Sequence, residues 1–250
     1  MKYLRLVIGA GFRRTFRDRH PSTFNRDRLA VARGSGAIGA AAVFLGIFAL
    51  LYGLVRTRRS QAFDASVTLK MQRDKSRAFD RLMHAVSWPG FPPQSRLIPP
   101  GLSATLWLLG FRLEALFQLL AWGTGVISFV VKRSMRRPRP EATAAETTIK
   151  VAAANIGGSS FPSGHVLNYV GVYGFLAYLA ETWIRPTWLR RLIVGFLISL
   201  ISLVGPSRIY LGHHWLTDVS ASYVLGTTYL LGLTNIYRRV RIWMSNVPTT

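Results

Sequence analysis

The chain has 250 residues, half of them hydrophobic, and its mean hydropathy is positive. This composition is typical of a protein that lies largely in lipid and disfavours a soluble fold around a single core. Lys and Arg number 32 against 10 Asp and Glu, and the formal net charge of +22 suits nucleic acid, anionic lipid or a phosphorylated substrate. Because the basic residues fall mainly between long apolar runs and at their ends, nucleic acid is the least favoured of the three. The chain has no Cys, which excludes disulfides, thiolate metal sites and Cys nucleophiles.

The chain begins with a basic tail, residues 1–33, whose apolar stretch is too short to span a membrane and is interrupted by Arg5. Residues 34–55 carry no charge and are long enough to cross a hydrocarbon core of about 30 Å at about 1.5 Å per residue. The segment 56–96 is polar and ends near the proline-rich run 88–93. This pattern predicts an extramembrane connection with an aromatic residue at the membrane interface.

Five further apolar stretches predict the remaining spans, at 97–111, 115–131, 166–184, 192–204 and 219–236. The first of these is short and has two prolines in its first turn, so it must be thin or tilted. The predicted fold is an all-α integral membrane protein, a bundle of six transmembrane helices with the active site near one membrane face. The bundle occupies residues 34–241, and a C-terminal tail follows at 242–250.

Three short segments combine polar residues that a membrane protein would not place beside its spans without a use. They are residues 132–140 after the third predicted span, 161–165 before the fourth, and 207–218 between the fifth and sixth. Two crossings separate the second segment from the third, so all three lie on the same side of the membrane. Basic and histidine side chains converging on one face are what a site for a phosphate anion requires.

Several residues in these segments suit the binding of a phosphate. Lys132, Arg139 and Arg208 supply positive charge, and the planar guanidinium groups of the arginines can hold two oxygens at once. Ser163 and Gly164 lie at a predicted helix start, where unpaired backbone N–H groups favour an anion, and the serine adds a hydroxyl donor. We therefore interpret these five residues as the phosphate-binding set.

Two residues of the third segment suit a nucleophile. His214 and Asp218 are four apart and share one face if the sixth helix begins early enough. The carboxylate can then fix the tautomer of the ring and stabilise its protonated form. His165 is a second histidine in the same predicted site, available as an acid or base. We interpret His213 as a packing or hydrogen-bonding residue, and Arg133, Arg136 and Arg137 as contacts to lipid headgroups.

The combined pattern Lys132-x6-Arg139-Pro140, Pro162-Ser163-Gly164-His165 and Ser207-Arg208-x5-His214-x3-Asp218 resembles the three-part signature of the type-2 phosphatidic acid phosphatase superfamily, in its membrane lipid phosphatase branch. The signature covers about a tenth of the chain, and each of its positions matches in order and spacing. The resemblance implies a six-helix core, a phosphohistidine on His214, His165 as the general acid, and catalysis with no metal and no cofactor.

Three functions are compatible with this pattern. The first is hydrolysis of a lipid phosphate or diphosphate, the second is transfer of the phosphate to another lipid or a sugar, and the third is non-catalytic binding by a transporter or regulator. Phosphatidic acid, phosphatidylglycerol phosphate and a polyprenyl diphosphate would present the same anion. The expected partners are this substrate and membrane lipid, without nucleic acid, and the sequence does not fix the oligomeric state.

The orientation in the membrane follows from the loops. Lys and Arg divide evenly between the two sides, so the positive-inside rule alone does not choose. Long loops count for less in that rule, and some basic residues on the side of the motifs belong to the predicted site. We therefore expect both termini in the cytoplasm, in a multi-pass protein of the cell inner membrane whose active site faces outward.

Overall fold

The computed structural model describes residues 23–73, 76–140, 149–152, 158–184 and 186–246. Within these ranges all regular structure is helical and no strand forms. Most of the predicted N-terminal tail, most of the segment between 140 and 160, and the last residues of the predicted C-terminal tail lie outside the described residues. Contacts divide the chain into two units, Met1–Gly39 and Ala40–Thr250, and the second unit contains the motif segments.

The helices, in chain order, are α1 (Thr23–Arg56), α2 (Gln61–Met71), α3 (Arg77–Ser87), α4 (Gln94–Leu108), α5 (Arg112–Ala121), α6 (Thr124–Ser134), α7 (Gly164–Asn168), α8 (Gly174–Trp183), α9 (Thr187–Tyr210) and α10 (Leu216–Asn246). A 3₁₀ turn, Trp88–Gly90, follows α3, and a π-helical turn, Tyr169–Tyr173, joins α7 to α8.

Three segments among the described residues are long and apolar enough to cross a membrane: Gly36–Arg56, Arg112–Ser134 and Thr187–Tyr210. They overlap the predicted spans 34–55, 115–131 and 192–204. The second segment comprises α5 and α6, which a short break after Ala121 separates. The other three predicted spans correspond to α4, to α7 with α8, and to α10. That all six cross the membrane stays a prediction.

The outer surface of these segments is apolar. Leu50 of α1 is 71% exposed, Val126 of α6 is 67% exposed and Phe196 of α9 is 65% exposed, and many neighbouring apolar side chains are also outside the core. Such a surface matches hydrocarbon, in which the helices satisfy their own backbone hydrogen bonds. The protein is therefore a membrane protein, and its described part is all-helical.

The helix α10 is the central element of the second unit. It packs against α5, α7, α8 and α9, and glycines permit the closest approaches between helices. A Cβ at Gly171 would lie 2.4 Å from the carbonyl oxygen of Ala121. In the C-terminal part of α10, the side chains of Tyr237 and Arg241 contact buried Glu114 of α5. The Glu114 carboxylate accepts hydrogen bonds from Arg241 and, at 2.7 Å, from the hydroxyl of Tyr237. These contacts hold α5 and α10 together.

The segment 56–96, predicted as a connection, is folded. It contains α2, α3 and the 3₁₀ turn; α2 packs on α9 and α10, and α3 packs on α9. Met83 and Val86 of α3 are buried, as is Asp64 of α2. The polar composition hid this packing because the buried face of α2 includes Asp64 and Thr68. The partners of the Asp64 carboxylate, Thr217 and Arg137, lie far away in the sequence.

Candidate active site

The three motif segments meet at one end of the helix bundle, each at a helix end. Lys132 lies in the last turn of α6, Ser163 directly before α7, Arg208 in the last turn of α9 and Asp218 in the first turn of α10. The packing of α7 on α6 and α10, and of α9 on α10, brings these ends together. The structure thus gathers the residues selected from the sequence, namely Lys132, Arg139, Ser163, Gly164, His165, Arg208, His214 and Asp218.

His214 is 2% exposed, and both of its ring nitrogens have defined surroundings. Nδ1 lies 2.7 Å from the carbonyl oxygen of Ser160. Because a carbonyl can only accept, Nδ1 carries the hydrogen of the neutral ring and Nε2 carries the lone pair. Nε2 lies 3.4 Å from Nη1 of Arg139. The lone pair of the imidazole therefore points to where a phosphate held by Arg139 would sit.

The sequence analysis expected the Asp218 carboxylate to fix the tautomer of the His214 ring, and the structure places this carboxylate differently. Its Oδ2 lies 3.6 Å from Nδ1 of His214, longer than a hydrogen bond, so the Ser160 carbonyl is the closer partner that fixes the tautomer. Oδ2 instead accepts the backbone N–H of Trp215 at 3.0 Å, one residue after His214. The carboxylate thus holds the backbone beside the ring and remains near enough to stabilise a protonated imidazole electrostatically.

Arg137 links Asp218 to a second buried carboxylate. Its guanidinium donates to Oδ1 of Asp218 at 2.5 Å and to Oδ2 of Asp64 at 2.6 Å. Asp64 also accepts from the backbone N–H and the hydroxyl of Thr217. Burial raises the pKa of Asp218, while Arg137 and the Trp215 N–H favour its ionised form.

The sequence interpretation of Arg137 as a headgroup contact is wrong. Its side chain is 9% exposed because it compensates two carboxylates that are fully buried. Arg133 and Arg136, by contrast, are exposed. The sequence carried no signal of this network, because Asp64 lies in the segment 56–96, which was predicted as an extramembrane connection.

Three cations surround the position in front of His214. Arg139 is 8% exposed and donates to the carbonyl oxygen of His213 at 2.9 Å. Arg208 is 1% exposed and donates to the Ser87 hydroxyl at 2.6 Å, while Lys132 donates to a backbone carbonyl at 2.7 Å. The three lie within electrostatic range of one another. Bringing positive charges together in a buried place is costly, and a bound anion offsets that cost.

Several buried polar atoms at this end of the bundle have no hydrogen-bond partner among the described residues. They are Oγ of Ser163, Nε2 of His165, Nε of Arg208, and both ring nitrogens of His213. Buried polar groups are normally paired, so such a concentration is typical of a ligand-binding site. Hydroxyl, imidazole and guanidinium groups can all donate hydrogen bonds, which is what phosphate oxygens require.

The segment 88–91 covers His165. The Phe91 ring lies edge-on to His165 with a centroid distance of 4.8 Å, and the guanidinium carbon of Arg208 lies 4.9 Å from the centre of the same ring. A Cβ at Gly90 would be 2.1 Å from the His165 ring, so a residue without a side chain is required there. Sequence reasoning missed this role; the glycine between Pro89 and Phe91 was the available signal.

Burial and the surrounding cations shift the pKa of His214. Burial lowers this pKa well below the ordinary imidazole value, and the positive charges of Arg139, Lys132 and Arg208 lower it further. The carbonyl of Ser160 acts in the opposite direction. His214 is therefore neutral at pH 7, the form that can act as a nucleophile.

The other two histidines of the candidate site, His165 and His213, are neutral for the same reasons. Burial, followed by the charge of Arg208, lowers the pKa of His165 well below its ordinary value and that of His213 to about 3. A dianionic phosphate among the cations would reverse the electrostatic part of the shift at His165 and favour its protonation. Among the described residues, no three His, Cys, Asp or Glu side chains cluster in a way that could hold a metal ion.

The sequence model of the PAP2 superfamily matches residues 113–242, more than half of the chain and the part that contains all three motif segments. The curated protein phosphatidylglycerophosphatase B of Bacillus subtilis (strain 168) is 32% identical over 115 residues, which are 45% of this chain. That match spans 53% of the relative, about half of its length.

A solved structure also resembles this one. The crystal structure of a transmembrane PAP2-type phosphatidylglycerolphosphate phosphatase from Bacillus subtilis superposes with a TM-score of 0.69 at 22% identity, covering 80% of this chain and 96% of that chain. At that identity the likeness shows the fold. The family match and the motif positions together confirm the resemblance drawn from the three motifs: the chain belongs to the PAP2 superfamily.

Proposed function

We propose that the protein is a membrane phosphatase that hydrolyses a lipid phosphate by way of a phosphohistidine on His214. The observation that carries the proposal is the geometry of this ring. Nδ1 donates to the Ser160 carbonyl at 2.7 Å, which leaves the lone pair on Nε2, beside Arg139. A neutral, oriented imidazole next to a cation that can hold phosphate is the arrangement that nucleophilic catalysis at phosphorus requires.

The reaction has two steps. In the first, Nε2 of His214 attacks phosphorus, the bond from phosphorus to the ester oxygen breaks, and His165 gives its proton to the leaving oxygen. In the second, His165 takes a proton from water, the resulting hydroxide attacks phosphorus, and the bond from phosphorus to Nε2 breaks, which releases inorganic phosphate and restores neutral His214. Lys132, Arg139 and Arg208 neutralise the charge of the phosphoryl oxygens in both steps, so the proposed reaction needs no metal ion.

The substrate we propose is a phosphate monoester or diphosphate of a membrane lipid. The site lies at the ends of the segments Arg112–Ser134 and Thr187–Tyr210, where lipid phosphates are found. The name of the curated relative indicates phosphatidylglycerol phosphate as the first candidate, beside phosphatidic acid and polyprenyl diphosphates. With six crossings and both termini in the cytoplasm, the site would face the outer side of the cell inner membrane.

We expect His214→Ala to abolish phosphate release from phosphatidylglycerol phosphate, with a loss in kcat of more than about 10³-fold, because the nucleophile is gone. The assay uses protein purified in detergent with EDTA present, and a thermal unfolding curve shows that the variant is folded. Turnover retained in folded His214→Ala would contradict the proposal. Label moving from the substrate to another lipid, without free phosphate, would show phosphotransfer instead.

Arg137 should act on catalysis through Asp218 and not through the substrate. We expect Arg137→Gln to lower kcat by about 10- to 100-fold with little change in KM, because the carboxylate and the backbone beside His214 lose their anchor. Arg137→Lys keeps the charge but cannot bridge both Asp64 and Asp218, so it should fall between the parent and Arg137→Gln.

The control for these variants is Arg133→Gln, which removes an exposed arginine four residues earlier. It should leave both kinetic constants unchanged. A rise in KM at constant kcat in the Arg137 variants would show that this residue binds substrate and would contradict the assignment.

The pH dependence of kcat/KM should reflect the lowered pKa of His214. The neutral ring is the active form, so activity is lost only as the pH falls through the lowered value, and the acidic limb lies below pH 6.5. Lys132→Met removes one charge that lowers this pKa, so the limb should move to higher pH. The parent and Lys132→Met are compared on the same substrate, because the ionisation of the substrate phosphate then affects both pH profiles equally. A limb that stays in place would contradict the electrostatic account.

A further inference from the structure

A cavity of about 380 Å³ lies beside the candidate active site. Buried Val55, Met135 and Trp215 contribute its apolar surface, and exposed Arg56, Arg58 and Arg136 contribute its basic surface. No residue of the proposed phosphate-binding or catalytic set lines it. The cavity therefore combines an apolar part with a positively charged rim.

The cavity is separated from the catalytic histidine by a hydrogen-bonded wall. The carbonyl oxygen of Pro138 accepts the indole N–H of Trp215 at 3.0 Å and the Ser160 hydroxyl at 3.2 Å. Trp215 and Pro138 line the cavity, whereas Ser160 contacts His214 on the other side. A ligand in the cavity would thus occupy a different place from the phosphate that His214 attacks.

The cavity lies where two candidate spans end. Arg56 is the last residue of Gly36–Arg56, and Arg136 follows closely after the end of Arg112–Ser134. The two ends are joined, because Arg56 donates to the carbonyl of Ser134 at 3.4 Å and the Tyr52 hydroxyl to its side chain at 3.3 Å. The ends of spans lie at the depth of phospholipid headgroups.

The charges that line the cavity are one-sided. No Asp or Glu lines it among the described residues, and in the same part of the chain Arg56, Arg58 and Arg136 form no ion pair with an acid. Arg137 also borders the cavity, but Asp64 and Asp218 compensate it. The rim therefore presents uncompensated guanidinium groups, which hold phosphate oxygens well.

The backbone supports a role for Arg58. Its φ is 58°, in the left-handed region that is unfavourable for a residue with a side chain and that glycine adopts freely. An arginine at such a position is consistent with a task for its side chain.

We propose that this cavity binds the phosphate headgroup of an anionic phospholipid that the enzyme does not turn over, a phosphodiester lipid of the surrounding membrane. The arginines would hold the phosphate, and the apolar part would contact the glycerol and the first acyl carbons. The position at two span ends favours a lipid over free inorganic phosphate, which has no group for Val55 and Met135 to contact.

The test is binding of a short-chain phosphatidylglycerol to the whole protein in nonionic detergent, measured by isothermal titration. We expect saturable binding that Arg56→Gln, Arg58→Gly and Arg136→Gln each weaken by about fivefold. Arg58→Gly removes the guanidinium at a position where the backbone suits glycine, so it keeps the fold. Arg133→Gln is the matched control, since this exposed arginine stacks on Phe129 and does not line the cavity.

A second control separates this site from the active site. Phosphatidylglycerol binding should persist in His214→Ala and should be unaffected by Lys132→Met, so the outcome does not depend on turnover. Binding that Lys132→Met weakens and the rim variants leave unchanged would place the lipid in the active site and overturn the proposal. Equal binding of short-chain phosphatidylcholine would show that charge does not select the ligand and would overturn the assignment to an anionic lipid. Binding of inorganic phosphate alone, with the same arginine dependence, would overturn the assignment to a lipid.

Discussion

The Arg137 guanidinium lies between two buried carboxylates, and the geometry of the candidate site depends on this contact. It joins α2 through Asp64, the segment after α6 through its own backbone, and α10 through Asp218. Removing one member would leave a buried charge uncompensated, which typically costs about 3–5 kcal/mol. The network therefore fixes how the start of α10 sits against the other motif segments and, through the Trp215 N–H, where the backbone next to His214 lies.

The same constraint explains the distribution of charge in the site. Acidic residues are few, and two of them are committed to Arg137. Lys132 and Arg208 donate to neutral oxygens instead, so their charge is available to an anion. In the proposed mechanism, phosphate binding in this site would relieve the repulsion between cations and would restore the conditions under which His165 can hold a proton. Substrate binding and acid catalysis would then be coupled by one electrostatic change.

Much of the site could be predicted from the sequence because its residues lie in short segments with fixed spacing. The spacing from Lys132 to Arg139 and from His214 to Asp218, together with the number of spans between segments, placed the motifs at one end of the bundle, as the structure has them. The spans 34–55, 115–131 and 192–204 were predictable because long apolar runs have few alternatives to crossing lipid.

The contacts that complete the site could not be predicted, because they join residues far apart in the chain. Asp64 and Arg137 are separated by 73 positions, and no periodicity relates them. The tautomer of His214 depends on a backbone carbonyl, that of Ser160, and a carbonyl belongs to every residue and leaves no trace in the sequence. Phe91 lay in a segment whose prolines indicated a loop but not what the loop covers.

The central claim is that phosphate passes through a covalent bond to His214. The most direct test is rapid quenching of the enzyme at alkaline pH during turnover of phosphatidylglycerol phosphate labelled in its terminal phosphate, followed by mapping of the labelled peptide. The account predicts acid-labile, alkali-stable label on His214 that forms before free phosphate appears and that is absent from His214→Ala. Free phosphate released at full rate with no label on any histidine would contradict the account.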